Sequence, residues 1–394
     1  MVKVLAYYKN SCITIIFCCC YSLIATAQVK LKLVLKSYPA THIEDAVFVA
    51  GNFNNWTPNG RYFFVKKSDS TYSLDIDHLS AGSYLYKLTR GSWEKVEVNT
   101  TGGSINNREI FLTRDTVISI DIAAWQDDFI QPPKKHTASP NVFLIDSILA
   151  KSILGYNSKI WIYLPTNYQK SKSRYPVLYM QDGQNLFDDY TSSYGEWEID
   201  ETLDSMIKVG IQASIVVGVE SGEKRMNEYN SFEHSKFGKG EGDTYIDFIA
   251  NTLKPFIDKH YRTLSAKENT IIAGSSMGGL ISFYASLKWP EVFGNAGIFS
   301  PAFKEANGII ALTDSLASQL KGKLFFYGGK KEGIEFEKEL DSVIQTVGNK
   351  STAMVYVLKD KDGQHNETAW RKWFPEFYKW IVAAGFNVIT KEID

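Results

Sequence analysis

Two patterns of apolar and polar positions divide the chain. From residue 29 to residue 124, apolar and polar residues alternate in short runs that are separated by turns containing Gly and Asn. The clearest alternating runs cover residues 29–35, 46–50, 72–76, 83–88 and 116–120. Because successive side chains of a strand point to opposite faces, this region is predicted to form an all-β, immunoglobulin-like sandwich.

The pattern changes beyond residue 145, where apolar runs alternate with stretches of helical period. Buried strands are predicted at residues 175–180, 214–219, 270–273, 323–329 and 353–358. The clearest helix is predicted over residues 243–261, where Ile246, Ile249, Leu253 and Phe256 recur at helical spacing. Strands that alternate with helices are typical of an α/β fold with a doubly wound sheet.

Composition marks the borders between these regions. The stretch from Gln131 to Pro140 is rich in Pro, Lys and Ser, which is typical of a stiff polar linker. The predicted organisation is a leader at residues 1–27, a β-sandwich at 28–125, a linker at 126–144 and an α/β domain at 145–394.

The first 27 residues have the features of an export signal. Lys3 and Lys9 supply a positive region, residues 11–23 form an apolar core, and Ala25-Thr26-Ala27 forms a small-residue site with cleavage expected after Ala27. The apolar core is too short to span a membrane. The mature protein is therefore expected to be a secreted or periplasmic bacterial protein.

All four cysteines lie inside this leader, at positions 12, 18, 19 and 20. The mature chain would then have no disulfide, no thiolate nucleophile and no cysteine-bound metal, and we predict neither a metal nor a cofactor. The formal net charge changes from −1 to −3 when Lys3 and Lys9 are removed. A balance this mild does not favour nucleic acid or a membrane surface as a partner.

The most informative motif is Gly274-Ser275-Ser276-Met277-Gly278, which follows the apolar run 270–273 and precedes a helix-forming stretch at 280–288. A strand that enters Gly-x-Ser-x-Gly and continues as a helix has the form of a nucleophile elbow. The strained turn exposes the serine oxygen, and the two glycines leave room for it. The spacing selects Ser276 over Ser275 as the nucleophile.

Chain order then limits the choice of base and acid. Alpha/beta-hydrolases place the acid and then the histidine after the nucleophile. His365 is the only histidine after Ser276, and it follows the predicted strand 353–358. Glu332 is the first carboxylate after the strand 323–329, whereas the next carboxylates lie on a predicted helix. Glu332 is therefore the predicted acid, which would hold the imidazole of His365 in one tautomer.

Two backbone N–H groups are needed to stabilise the oxyanion of such a reaction. One is predicted to be the amide of Met277, the residue directly after the nucleophile. We assign the second to the amide of Gln184, in the turn that follows the predicted strand 175–180.

Three further residues are candidates for substrate contact. Trp197 is predicted to wall the acyl pocket, with a place in the hydrophobic core as the alternative. Arg225 and Tyr229 follow the predicted strand 214–219, at the edge of the sheet that builds active sites. A structural pair between Arg225 and a carboxylate is the alternative there.

Four motifs occur in order over most of the second region: residues 177–188, the elbow with its double glycine, residues 299–303 and residues 365–370. From about residue 158 to 385 the chain resembles the esterase family that includes feruloyl and acetyl-xylan esterases (carbohydrate esterase family 1). Siderophore trilactone esterases and antigen 85 mycolyltransferases are more distant members. The resemblance implies an alpha/beta-hydrolase fold and a Ser276–Glu332–His365 triad, with Gln184 and Met277 as the oxyanion amides.

Residues 51–56 and 81–94 of the sandwich resemble the starch-binding-like modules of carbohydrate-binding families 20 and 48. Indole rings stack on sugar rings, so Trp56 and Trp93 are the candidate sugar-binding platforms. Family 20 modules carry a second stacking Trp after a Val-Glu pair, where this chain has Val98. The alternative is that both Trp side chains pack into the sandwich.

These features predict a secreted serine esterase that acts on acetyl or feruloyl esters of carbohydrate, including polymeric glycan, through an acyl-enzyme. A siderophore trilactone esterase or an exported serine peptidase would share the triad. A non-catalytic glycan-binding protein is the alternative outside the enzymes. The competent residue at every triad position argues against it.

Overall fold

The structure of the protein is a computed structural model that describes residues 28–54, 56–68, 71–129, 133–145 and 158–383, together with the backbone of residues 389–393. The predicted leader at 1–27 lies outside the described residues, as do Asn55 of one sugar-module motif, residues 130–132 of the predicted linker and residues 146–157 of the predicted α/β domain. The chain divides into two compact units, one that ends at Phe129 and one that begins at Ile130.

The first unit is all-β. Its described strands are β1 (Gln28–Ser37), β2 (Phe48–Gly51), β3 (Val65–Lys66), β4 (Tyr72–Ser80), β5 (Gly82–Thr89), β6 (Glu97–Val98), β7 (Arg108–Leu112), β8 (Thr116–Asp121) and β9 (Ala124–Trp125). They form sheets with the orders β3-β4-β1-β8, β2-β5-β7 and β6-β9. The core joins the two larger sheets, with Leu31 and Leu33 of β1 beside Val49 of β2 and Leu88 of β5. The predicted all-β sandwich is confirmed.

The second unit is built on one mixed sheet. Its strands are β10 (Val142–Ile145), β11 (Ile160–Tyr163), β12 (Val177–Gln181), β13 (Ile215–Val219), β14 (Thr270–Ser275), β15 (Asn295–Phe299), β16 (Lys323–Gly329), β17 (Met354–Asp360) and β18 (Ile389–Ile393). The order is β10-β11-β13-β12-β14-β15-β16-β17-β18, which places β14 fifth of nine. Strands β12 to β18 pair in parallel, so their carboxyl ends meet at one edge.

Helices connect these parallel strands, as the sequence pattern predicts. The described α-helices are α1 (Ile199–Lys208), α2 (Arg225–Glu228), α3 (Gly242–Phe248), α4 (Lys254–His260), α5 (Met277–Lys288), α6 (Ile309–Leu316), α7 (Ile334–Lys350) and α8 (Glu367–Val382). The single helix predicted over 243–261 is α3 and α4 joined by a π-helical turn, Ile249–Leu253. Pro255 follows this turn and has no backbone N–H to donate to a regular α-helix.

Residues 126–129 of the predicted linker belong to the first unit, and its described residues from 133 onward belong to the second. Residues 142–145 form β10, which pairs antiparallel with β11. Just before it, Thr137 N donates to Asp188 Oδ1 at 3.0 Å and Ser139 N donates to Asp200 Oδ2 at 2.6 Å. Carboxylates distant in sequence thus accept hydrogen bonds from the backbone of this part of the predicted stiff linker.

Within the ranges that the structure describes, no helix has both the length and the apolar character that a membrane crossing requires.

Candidate active site

The elbow serine lies at the carboxyl end of the central strand β14. Ser276 has φ 57° and ψ −121°, which is a strained conformation for a residue with a side chain. Two hydrogen bonds hold the turn: Ser276 N donates to Phe299 O at 2.9 Å, and Ala302 N donates to Ser276 O at 3.0 Å. Helix α5 begins at the next residue, Met277. Ser275, by contrast, is the last residue of the strand and is buried.

The two glycines of the motif allow the neighbouring strand β12 to approach the elbow. A Cβ atom at Gly274 would lie 2.8 Å from Gln181 Cγ, and a Cβ atom at Gly278 would lie 2.9 Å from Gln181 Cβ. Either contact would be closer than van der Waals packing permits, so a side chain at these positions would push β12 away. The turn that carries Gln184 is thereby held next to Ser276.

The structure brings together the three residues that chain order selects. His365 Nε2 lies 2.9 Å from Ser276 Oγ, and His365 Nδ1 lies 2.6 Å from Glu332 Oε2. In the tautomer that carries its proton on Nδ1, His365 donates to Glu332 and can accept the serine proton. Glu332 ends a 3₁₀ turn directly after β16, and its side chain is only 2% exposed, whereas the imidazole is open to solvent.

Other hydrogen bonds fix the carboxylate of Glu332. Its Oε1 accepts from Ser300 Oγ at 2.6 Å and from Gly329 N at 2.8 Å. Ser300 Oγ in turn accepts from Trp370 Nε1 at 2.9 Å, and the Trp370 ring meets His365 edge to face at 5.1 Å. Sequence reasoning assigned no role to Ser300 or Trp370. Both lie in the family-like motifs 299–303 and 365–370, which is the signal that could have singled them out.

Both predicted oxyanion donors lie in the first turn of a helical segment. Met277 is the first residue of α5, and Gln184 lies in the 3₁₀ turn Gly183–Asn185 that follows β12. The first N–H groups of a helix have no acceptor within the helix and are free for an anion. The side chain of Gln184 donates to Ser221 Oγ at 3.1 Å, so it is held in place independently of the backbone amide.

Two of the three candidates for substrate contact are core residues. Trp197 is 3% exposed and lies against Phe299 and Trp370. Tyr229 is 0% exposed, and its hydroxyl accepts from Asp182 N at 3.1 Å. The expectation of direct substrate contact is corrected for both, because packed aromatic rings offer no surface to a ligand. For Trp197, this is the core position weighed as the alternative.

Arg225 forms an ion pair with Asp182, which is the alternative to substrate contact predicted from the sequence. Its Nε and Nη2 atoms donate to the two oxygens of Asp182 at 2.7 Å each, a bidentate arrangement. Its side chain remains 32% exposed. Asp182 has a left-handed backbone at the start of the Gln184 turn, and the pair therefore braces that turn.

A buried carboxyl lies two residues beyond His365. Burial raises the pKa of Glu367 to about 7, and the charge of Asp182 adds to the effect while Arg225 opposes it. Glu367 is therefore neutral for part of the time near neutral pH. The net charge near Asp182 and Arg225 is then less negative than it would be with Glu367 fully ionised.

A nine-stranded sheet with a serine elbow on its central strand and a histidine and carboxylate on later loops defines an alpha/beta-hydrolase. Residues 151–381 match the model of a family described as "Putative esterase". Because this match covers more than half of the sequence, the chain belongs to that family of carboxylic-ester hydrolases.

Two curated relatives and one solved structure illustrate the likeness. YbbA of Bacillus subtilis (strain 168) is 26% identical over 212 residues, which are 52% of this chain and 79% of YbbA. An endo-1,4-beta-xylanase/feruloyl esterase of Xylanibacter ruminicola is 27% identical over 216 residues, 54% of this chain but 27% of that protein. The enterobactin esterase FES of Shigella flexneri aligns with a TM-score of 0.51 and 14% identity over 90% of this chain and 92% of FES, a likeness of fold.

Proposed function

We propose that this esterase cleaves acetyl or feruloyl esters of carbohydrate with Ser276 as nucleophile and His365 as base. Glu332 is the acidic residue of the triad, whose carboxylate orients His365. The observation that carries the proposal is the unbroken path of hydrogen bonds from Ser276 Oγ through the imidazole to Glu332, at 2.9 and 2.6 Å. Separations of this size are those of a nucleophile and base ready for proton transfer.

The reaction follows from these positions. Ser276 Oγ attacks the ester carbonyl while His365 Nε2 takes its proton, and the amides of Met277 and Gln184 stabilise the tetrahedral oxyanion. Collapse breaks the bond to the sugar oxygen, which leaves as the alcohol with the proton from His365. Water, deprotonated by His365, then attacks the acyl carbonyl; the bond to Ser276 Oγ breaks, Oγ takes the proton back from His365, and the carboxylic acid leaves. Arg225, whose side chain is 32% exposed, is proposed to contact the substrate.

The proposed carbohydrate substrate is supported by one relative and by the first unit. The X. ruminicola relative is a xylanase/feruloyl esterase. The rings of Trp56 and Trp93 lie 6.4 Å apart at 40° and are partly exposed, and neither belongs to the core of the sandwich. Adjacent, partly exposed indoles favour a stacking surface over a purely structural role. We propose residues 28–125 as the sugar-binding module of a secreted or periplasmic enzyme.

A substrate panel tests the proposed specificity. We expect the purified full-length mature protein to release acetate from acetylated xylan or ferulate from feruloylated oligosaccharides, with a kcat/KM well above that for p-nitrophenyl acetate. Peptide p-nitroanilides serve as the comparison for a serine peptidase. Activity on the anilides alone, or no hydrolysis of any ester by folded protein, would contradict the proposal.

A siderophore trilactone esterase is the second candidate. The alignment with the enterobactin esterase FES covers 90% of this chain and so includes most of both units. Enterobactin therefore belongs in the panel, with release of its hydroxybenzoyl-serine products followed by chromatography. A kcat/KM for the trilactone that exceeds those for all the sugar esters would favour this candidate.

Substitution of the paired indoles should separate polymer binding from catalysis. Trp93→Ala is expected to weaken retention on insoluble xylan or starch by about tenfold, because one stacking platform is lost. The kcat for p-nitrophenyl acetate should stay unchanged. Phe111→Ala removes another exposed aromatic ring of the same unit, on β7, and is the matched control in the same pull-down. Equal retention of both variants would show that Trp93 does not bind the polymer.

A further inference from the structure

Three carboxylates converge at the start of helix α1. One carboxylate oxygen each of Glu196, Asp200 and Glu201 lies within 4.8 Å of the other two. Asp200 and Glu201 belong to the first turn of α1, and Glu196 precedes the helix. Glu196 is 5% and Asp200 0% exposed, whereas Glu201 is open to solvent.

Two of the buried oxygens have no hydrogen-bond partner. Glu196 Oε2 accepts from Thr137 Oγ1 at 2.8 Å, and Asp200 Oδ2 accepts from Ser139 N at 2.6 Å. The second oxygen of each carboxylate, Glu196 Oε1 and Asp200 Oδ1, is buried among the described residues without any donor. An ionised oxygen in that position costs considerable free energy unless a cation or a proton accompanies it.

Among the described residues, no Lys, Arg or His side chain hydrogen-bonds to these two oxygens. His136 pairs with Asp188, while Arg371 pairs with Glu198 and donates to the backbone oxygen of Glu196 at 3.3 Å, not to its carboxylate. The positive end of helix α1 offsets about half a charge, against up to three negative charges in the cluster.

We propose that Glu196, Asp200 and Glu201 bind a divalent cation of the calcium type, a site that the sequence did not predict. Carboxylate oxygens are the preferred ligands of Ca²⁺, which holds them at about 2.3–2.6 Å. Two ligands of one Ca²⁺ ion therefore lie at most about 4.6–5.2 Å apart, and the three carboxylate oxygens, all within 4.8 Å of one another, meet this limit. Water completes the coordination on the exposed side, next to Glu201.

Bound calcium would stabilise the turn that carries the oxyanion amide. Trp197 N donates to Asn185 O at 2.9 Å, and Ile199 N donates to Leu186 O at 3.1 Å. These bonds connect the cluster to the residues directly after Gln184. The same ion would also neutralise the carboxylates of Glu196 and Asp200, which accept hydrogen bonds from Thr137 and Ser139. It would thereby strengthen the attachment of residues 137–139 to the rest of the second unit.

Binding and stability of the full-length mature protein test the site independently of esterase activity. After EDTA treatment and dialysis, isothermal titration with CaCl₂ should show one ion bound per chain. Calcium at about one hundred times its Kd should raise the melting temperature by about 5 °C or more. Tb³⁺, a luminescent calcium mimic, should be sensitised by tryptophan excitation, because Trp197 adjoins Glu196, and Ca²⁺ should quench this emission by displacement.

Variants of the cluster and a neighbour locate the ion. Glu196→Gln combined with Asp200→Asn should abolish calcium binding and the calcium-dependent rise in melting temperature. Glu198→Gln is the matched control, because Glu198 lies between the two ligands in sequence but pairs with Arg371. It should retain the binding and the thermal shift. Should the double variant fail to fold, Glu201→Gln changes an exposed ligand and should weaken calcium binding about tenfold.

Three results would overturn the proposal. The first is a wild-type protein that neither binds calcium at millimolar concentration nor changes its melting temperature. The second is unchanged calcium binding by the folded double variant or by Glu201→Gln. The third is a rise in melting temperature of the double variant over wild type that is the same with and without calcium, which would mean that the substitutions only relieve buried charge.

Discussion

Ser276→Ala is expected to lower kcat for p-nitrophenyl acetate by roughly 10⁴- to 10⁶-fold, because the alanine leaves no nucleophile for His365 to activate. The oxyanion amides and the binding surface remain, so a small residual rate above that in water should persist. KM should change little, since the hydroxyl is not expected to contribute much to binding of the ground state. Steady-state kinetics with active-site titration of the wild type measure the effect.

Ser275→Ala is the matched control for this variant. Ser275 directly precedes the nucleophile, as the last residue of β14, but is buried, and His365 hydrogen-bonds to Ser276 instead. This variant should keep most of the wild-type kcat, and both variants should show wild-type circular dichroism. Comparable losses from both substitutions, or a loss from Ser275→Ala alone, would contradict the assignment of the nucleophile.

Local motifs and chain order were sufficient to select Ser276, His365 and Glu332. The elbow is a short-range signal, since the strand, the glycines and the helix lie within 20 residues of one another. His365 and Glu332 follow from the order of parallel strands, which brings the loops after β14, β16 and β17 to one edge. The strands of the α/β unit were also predictable from local sequence, because buried parallel strands give continuous apolar runs.

Contacts between residues distant in sequence were not predictable in this way. The bond from Trp370 Nε1 to Ser300 Oγ joins residues 70 positions apart, and although each lies in a family-like motif, the sequence does not show that the two side chains meet. Trp197 and Tyr229 have the composition of pocket residues, but the neighbours that cover them decide their burial. The docking of Thr137 and Ser139 onto carboxylates likewise depends on tertiary structure, which a Pro-rich stretch does not reveal.

Glu332→Gln is expected to lower kcat by about 10³- to 10⁴-fold while the fold stays intact. The loss is expected because the hydrogen-bond partners of Glu332 Oε1 fix the orientation of the new amide. Gly329 N–H can only donate, so it would keep the amide oxygen of the glutamine at that position and direct the amide NH₂ toward His365 Nδ1. His365 would then carry its proton on Nε2 and could not accept the proton of Ser276 Oγ. A neutral amide also cannot stabilise the imidazolium that forms during attack.

Asp362→Asn is the control for this prediction. Asp362 lies three residues before His365, but its carboxylate is 65% exposed and pairs with Lys331. We expect this variant to retain near wild-type kcat, with both variants compared to wild type by kinetics and by thermal melting. If Asp362→Asn, or Glu337→Gln on helix α7, reduced kcat more than Glu332→Gln does, the acid of the triad would have to be reassigned. A Glu332→Gln variant with unchanged kcat would show that the bond of 2.6 Å to His365 Nδ1 is structural only.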